Sequence, residues 1–202
     1  MAFLHFDSDT HTYTLDGKKL PSVTEICGLL NNWGDINPAI LMQAARRGSV
    51  VHEYCELVDY GIDEDGIEVE PDLGKYVMAY MRFLRDYKPS WEMVEQKVYS
   101  EQFGFAGTLD RYGTIDGKPV LLDIKTSSSV SKLNRIIWAC QLSAYALLLA
   151  KADDPKLRRW NLILKRDGKY QVIDASESEA RYAFSGYSLF NTLLLIWKIV
   201  NE

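Results

Sequence analysis

Two aspartates and a lysine are the residues of this chain best placed to do chemistry: Asp110, at the end of Gly107-Thr108-Leu109-Asp110, and Asp123-Ile124-Lys125, thirteen residues later. Runs with strand character lie between them on either side of Asp116-Gly117, and Asp-Gly between such runs is a strong hairpin signal. If those two residues are the loop, Ile115 pairs with Lys118, and counting back sets Asp110 opposite Asp123. Alternation along the strands then puts Asp110, Asp123 and Lys125 on one face, with Leu122 and Ile124 on the other. A four-residue loop preserves that face; a three-residue loop turns Asp110 away. Like charges directly opposite destabilise a sheet by ~0.2–1 kcal/mol unless something neutralises them. A divalent cation would do so. The same residues also read as a solvated hairpin with its charges on the wet side.

The elements that must hold these groups follow from the local signals. His11–Leu20 reads as a small hairpin around Asp16-Gly17. Ser22 and Glu25 have capping-box spacing for a helix that starts at Pro21. Asn37-Pro38 opens a longer helix closed at Gly61, and the acidic stretch 59–74 reads as a surface loop before a helix to about Tyr87. Strands are expected at 92–102, 106–115 and 119–126, then a helix at 133–151, a hairpin around Asp167-Gly168, and a C-terminal helix from Ser176. This order predicts an α/β fold with a central mixed sheet flanked by helices. It reads as one domain over 1–202, with an N-terminal hairpin and helix (1–36), a core (37–175) and the C-terminal helix (176–202). On the 38–60 helix, Gly48, His52 and Glu56 share a face, and a mid-helix glycine suggests close approach of something to the backbone. Gln141 and Tyr145 share a face of the 133–151 helix; each set reads equally as packing and surface.

Composition narrows the field. With 47% apolar and 25% charged residues, disorder is not expected. The three scattered cysteines, Cys27, Cys55 and Cys140, give neither a zinc site nor an iron–sulfur cluster, and fit a reducing compartment. No secretory signal and no membrane-length apolar run are apparent, so a soluble, cytoplasmic protein without a membrane partner is expected. The net charge of -5 is uneven: seven acids between Asp59 and Asp72 account for more than all of it, leaving +2 elsewhere. Basic residues gather at Arg46-Arg47, Lys132/Arg135, Lys156/Arg158/Arg159 and Lys165-Arg166, which are either solvated faces or contacts to a phosphate backbone.

Gly48-x-x-x-His52, Gly107-x-x-Asp110, Asp123-Ile-Lys125 and Gln141-x-x-x-Tyr145, in this order, resemble the RecB-type exonuclease branch of the PD-(D/E)XK nuclease superfamily. That branch includes phage exonucleases and the mitochondrial genome maintenance exonuclease, whose opening segments are similar to His11–Thr24. The resemblance runs from Phe3 to about Leu164. Leu109 stands before the first acid where other branches have proline, and the cysteine cluster of some subgroups is absent. The resemblance implies a restriction-endonuclease-like core and a Mg²⁺- or Mn²⁺-dependent deoxyribonuclease.

Asp110, Asp123 and the Ile124 backbone carbonyl offer hard oxygen ligands suited to Mg²⁺ or Mn²⁺, and one ion, or two about 3.5–4 Å apart, could serve phosphodiester hydrolysis. By resemblance His52 joins the metal site and tilts it towards Mn²⁺, Lys125 orients or activates the water, and Gln141 and Tyr145 hold Lys125 and the scissile phosphate. Glu95 matches a frequent acid of the family and is a further metal-site candidate. Ser22, Thr24, Arg46 and Arg47 are candidates for gripping a DNA end. The expected activity is exonucleolytic digestion of linear DNA in phage or bacterial recombination, repair or DNA degradation, alongside a single-strand annealing or single-strand binding partner. A structure-specific endonuclease and a DNA-end-binding recombination partner with little catalysis are the alternatives. Closed circles separate the first two: an enzyme that needs an end leaves them intact.

Overall fold

A computed structural model describes residues 3–8, 10–31, 37–62 and 70–201. Three short strands, β1 (Leu4–Asp7), β2 (Thr12–Leu15) and β3 (Lys18–Leu20), form an antiparallel sheet turned at Asp16-Gly17, where both residues have positive φ. α1 (Val23–Cys27) follows with its capping box complete: Glu25 N–H donates to the Ser22 hydroxyl and Ser22 N–H to the Glu25 carboxylate. α2 (Pro38–Asp59) begins as Asn37 accepts from Ala39 N–H, and α3 (Gly74–Tyr87) comes next. β4 (Ser90–Ser100), β5 (Phe105–Ile115) and β6 (Lys118–Thr126) make an antiparallel meander. α4 (Lys132–Leu148) crosses over to β7 (Arg158–Leu164), which lies parallel to β6, as such a connection requires. β8 (Tyr170–Asp174) completes a five-stranded mixed sheet in the order β4-β5-β6-β7-β8.

Helices cover both faces. Val51 and Cys55 of α2, with Tyr80 and Phe83 of α3, pack on Ile115, Val120, Leu122 and Ile124. On the opposite face α1, α4 and the C-terminal helices close over Leu109, Leu121 and Ile163. Cys27 and Cys140 touch there with sulfurs 3.6 Å apart, while Cys55 lies in the other cluster, so the three thiols do not converge.

The expected C-terminal helix is two helices, α5 (Ala175–Tyr182) and α6 (Gly186–Asn201), bent by 83°. The break is at Ala183, in a left-handed conformation (φ 52°) that alanine does not advertise. Asp59, counted from sequence among surface acids, ends α2 with its side chain buried against Arg111. Part of the expected acidic loop, 63–69, lies outside the described residues. Among the described residues no single helix is long and apolar enough to cross a membrane.

Candidate metal centre and catalytic cleft

The central hairpin has the register expected: Asp116 and Gly117 are the loop, Ile115 pairs with Lys118, and pairing continues to Arg111–Leu122. There it stops. On the same register Ile124 N–H would next pair with the Leu109 carbonyl; it donates instead to Asp110 Oδ2 at 2.6 Å. Across the other edge of β5, pairing passes from Val94–Arg111 to Gln96–Leu109 and skips Glu95 and Asp110. Glu95 sits at φ 46°, strained for a residue with a side chain. Simple alternation also fails locally, since Leu109 and Tyr112 pack in the same apolar cluster. The sheet thus opens at the two acids, which turn into a cleft.

One cavity of about 570 Å³ is lined by Ser22, Thr24, Gly48, His52, Glu95, Asp110, Asp123, Lys125, Gln141 and Tyr145. Ten residues singled out in the sequence therefore meet in one place. Arg46 and Arg47 do not: they border a neighbouring depression with Asp72 and Arg166, and Arg46 reaches Glu70 at 3.7 Å. The Ser22 hydroxyl is committed to capping α1, which is only five residues long.

His52, Glu95 and Asp110 can each bring one ligand atom within 4.8 Å of the others. The imidazole lies among acceptors on both sides: Nδ1 is 3.2 Å from Glu95 Oε1 and 3.7 Å from Asp110 Oδ2, and Nε2 is 3.0 Å from the Ile124 carbonyl. Burial alone would lower its pKa, but the Asp110 and Glu95 carboxylates outweigh burial and raise it to about 9. A protonated imidazole thus occupies the point where acceptors for a cation converge. Burial raises Asp110 to about 6, against the pull of His52. Glu95 is held below its ordinary range: burial opposes this, and His52 and Arg111 prevail. Two carboxylates, a backbone carbonyl and one imidazole form a hard, oxygen-rich donor set, which suits Mg²⁺ or Mn²⁺.

Asp123 is engaged differently. Its Oδ1 meets Lys125 Nζ at 2.9 Å and its Oδ2 accepts from Asn161 Nδ2 at 2.8 Å. Burial would lower the Lys125 pKa, but Asp123 and Asp110 raise it, so the ammonium stays charged. Gln141 is buried, and its Oε1 has no hydrogen-bond partner among the described residues. Tyr145 stands over β5 where a Cβ at Gly107 would come within 2.8 Å of its ring, so glycine is what lets the tyrosine reach the cleft. Gly48 has no such neighbour: a Cβ there would meet only Thr126 Oγ1, at 4.0 Å. The close approach expected at Gly48 is therefore not made by any other described residue.

Three groups escaped the sequence. Arg111, fully buried, donates to Asp59 at 2.5 Å, to Glu95 at 2.8 Å and to the Asp110 carbonyl at 2.6 Å. Asn161 fixes Asp123 from β7. Phe6, His11, Tyr13, Lys97 and Thr108 also line the cleft. For Lys97 and Thr108 a signal existed, since each lies two residues from a site acid on the same strand.

A family model of the PD-(D/E)XK nuclease superfamily matches residues 68–186. A search of curated proteins gives no match. Among solved structures, one titled "Crystal structure of SSO0001" aligns with 13% identity and a TM-score of 0.43, covering 90% of this chain and 76% of that one. A likeness that low carries no argument about activity.

Proposed function

The chain belongs to the PD-(D/E)XK nuclease superfamily, and from that premise we propose that it is a Mg²⁺- or Mn²⁺-dependent exonuclease that hydrolyses DNA from its ends. The observation that carries this reading is the meeting of His52, Glu95 and Asp110 with the Asp123–Lys125 pair in one cleft. Asp110, Glu95, His52 and the Ile124 carbonyl would hold the ion, with Asp123 beside them. Bound there, a divalent ion supplies a more acidic water and a polarised phosphate.

The side chains do the remainder. Lys125, kept protonated by Asp123, donates to a phosphoryl oxygen and orients the water; as an ammonium it is not the base. Gln141 Oε1, without a hydrogen-bond partner among the described residues, would accept from the attacking water. Tyr145, whose pKa burial holds well above 10.0, stays a hydrogen-bond donor towards the phosphate. Gly48, open towards the cleft, leaves room for the substrate backbone. Action from ends is supported by the motif resemblance of Gly48, His52, Gly107, Asp110, Asp123, Lys125, Gln141 and Tyr145. A role in phage or bacterial recombination, repair or DNA degradation is part of this reading.

End-labelled linear DNA and covalently closed circles, incubated with Mg²⁺, Mn²⁺ or EDTA, test it. Linear DNA should be consumed only with metal while relaxed circles persist, and Lys125→Ala should abolish turnover. Rapid nicking of circles would replace the exonuclease reading with the endonuclease one.

A further inference from the structure

α2 borders two hollows. Gly48, Ser49 and His52 line the catalytic cleft, while Gln43, Arg46, Arg47 and Val50, spaced i, i+3, i+4, i+7 on another side of the helix, border a depression of about 260 Å³. Arg166, from the turn between β7 and β8, joins them. Three arginines from two parts of the chain thus converge on one hollow, in a protein whose net charge is -5. Leu73 and Tyr76, both buried, line it as well. The guanidinium groups therefore stand beside apolar surface, where attraction for an anion is screened less than in open water.

These arginines are poorly satisfied. Arg46 Nη2 is 3.7 Å from Glu70 and Arg166 Nη2 is 4.0 Å from Asp72, whereas charge-assisted hydrogen bonds close at about 2.7–2.9 Å. All four side chains are more than half exposed, and ion pairs of that kind contribute little. Arg47 Nε is buried and has no hydrogen-bond partner among the described residues. Three guanidinium groups against two carboxylates leave the depression with one positive charge in excess.

A phosphodiester fits this chemistry, because guanidinium groups bind its oxygens in pairs, and the depression lies where a DNA strand can bring one. Arg47 directly precedes Gly48 and stands five residues, about 7.5 Å along the helix axis, from His52 at the candidate metal centre. At Gly48 the helix presents no side chain, and a Cβ there would meet only Thr126 Oγ1, at 4.0 Å. A helix with its side chains is about 10–12 Å across, so a strand passing over Gly48 travels about one helix width from the cleft to the arginines.

We propose that Arg46, Arg47 and Arg166 hold a phosphate of the DNA strand outside the cleft, the strand crossing α2 at Gly48, and that Glu70 and Asp72 occupy these arginines until DNA replaces them. This rests on the nuclease reading above and deepens it by giving the rest of the substrate a path. Arg46 and Arg47 grip the strand at a distance from the scissile phosphate, not its end inside the cleft.

Binding of a fluorescein-labelled duplex with a single-stranded tail, followed by anisotropy in Ca²⁺ over a range of salt concentrations, tests the site apart from catalysis. Hydrolysis of bis(p-nitrophenyl) phosphate in Mn²⁺ reads the cleft alone. Arg46→Ala and Arg166→Ala, both at exposed positions, should each raise Kd and flatten the log–log salt slope by about 0.7–0.9, the value for one lost phosphate contact. The double variant Glu70→Gln/Asp72→Asn should lower Kd, because the competing carboxylates are gone. Lys156→Ala removes the same charge from an exposed residue that does not line the depression, and should leave the slope unchanged. Every variant should hydrolyse the ester as the wild type does. Arginine variants with wild-type affinity and slope, an equal loss in Lys156→Ala, or no tightening when the acids are neutralised overturns the proposal. A chain that hydrolyses neither DNA nor ester overturns the nuclease reading instead, and the titrations still decide the phosphate site; a chain that binds no DNA overturns both.

Discussion

Replacing Asp59 by alanine should unfold this protein at markedly lower temperature although the residue touches no substrate. Arg111 is completely buried, and its guanidinium has two carboxylate partners, Asp59 and Glu95. Tyr80 OH also donates to Asp59, at 2.8 Å, and the Tyr80 ring lies 5.8 Å from the guanidinium carbon. One terminal nitrogen, Nη2, already has no hydrogen-bond partner among the described residues. Burial opposes the charge, but the surrounding acids raise the Arg111 pKa, so the guanidinium cannot escape by losing its proton. Removing Asp59 leaves that charge with one carboxylate that it must share with His52. Breaking a buried pair in this way costs about 3–5 kcal/mol, a large share of the roughly 5–15 kcal/mol that holds a domain folded. At about 2–4 °C per kcal/mol for a chain of this size, the midpoint should fall by about 6–20 °C. Urea titration and thermal melts of the metal-free protein measure it. The double variant Asp59→Ala/Arg111→Met should be more stable than Asp59→Ala alone, because the buried charge is gone. A loss below about 1 kcal/mol in the single variant, or simple additivity in the double, would refute this reasoning.

Asp123→Ala should abolish hydrolysis and also cost about 1–3 kcal/mol of stability, because it strips Lys125 and Asn161 of their shared partner; sequence alone suggests relief of repulsion, and a variant at least as stable as wild type would restore that view. The pH dependence follows from His52. Its folded pKa of about 9 lies above the ordinary 6.5, so its contribution to metal-free stability is complete below about pH 6.5 and lost as pH rises through 9. Metal binding must displace that proton, so Mn²⁺ affinity by calorimetry should climb over the same interval, by at most about tenfold per pH unit per proton; a flat profile would remove His52 from the ligands. Gly107→Ala should lower kcat far more than the melting temperature, since the new methyl pushes Tyr145 out of the cleft; unchanged turnover would show that the tyrosine's position is not needed.

Much of the scaffold is legible because it is local. Asp116-Gly117 dictates the turn and with it the pairing of Ile115 with Lys118, and Ser22 with Glu25, like Asn37 with Pro38, marks a helix start. Periodicity puts Asp123 with Lys125, Gly48 with His52, and Gln141 with Tyr145 on shared faces, but only the motif resemblance joins those faces into the one cleft they line. What stayed hidden is long-range or strained. Asp59 lies 52 residues from Arg111, and nothing in its acidic neighbourhood sets it apart from solvated residues. Asn161 reaches Asp123 only because β7 runs parallel to β6. The left-handed turns at Glu95 and Ala183 occur in residues that do not favour them, so no glycine or asparagine gave notice.

The interrupted ladder at Asp110 binds the reaction centre to the integrity of the sheet. Its Oδ2 stands in for a strand carbonyl by accepting the Ile124 N–H, and the carbonyl of that same residue, Ile124, in turn meets His52. Ligand, backbone and imidazole are thus one stitched seam, closed at the point where two strands part. An Asp110 replacement made to silence the enzyme also unpicks the seam, and so yields a differently joined sheet rather than the same protein without chemistry. A replacement at Lys125, which accepts no backbone bond and closes no strand, is the cleaner way to obtain an inert copy that keeps its shape.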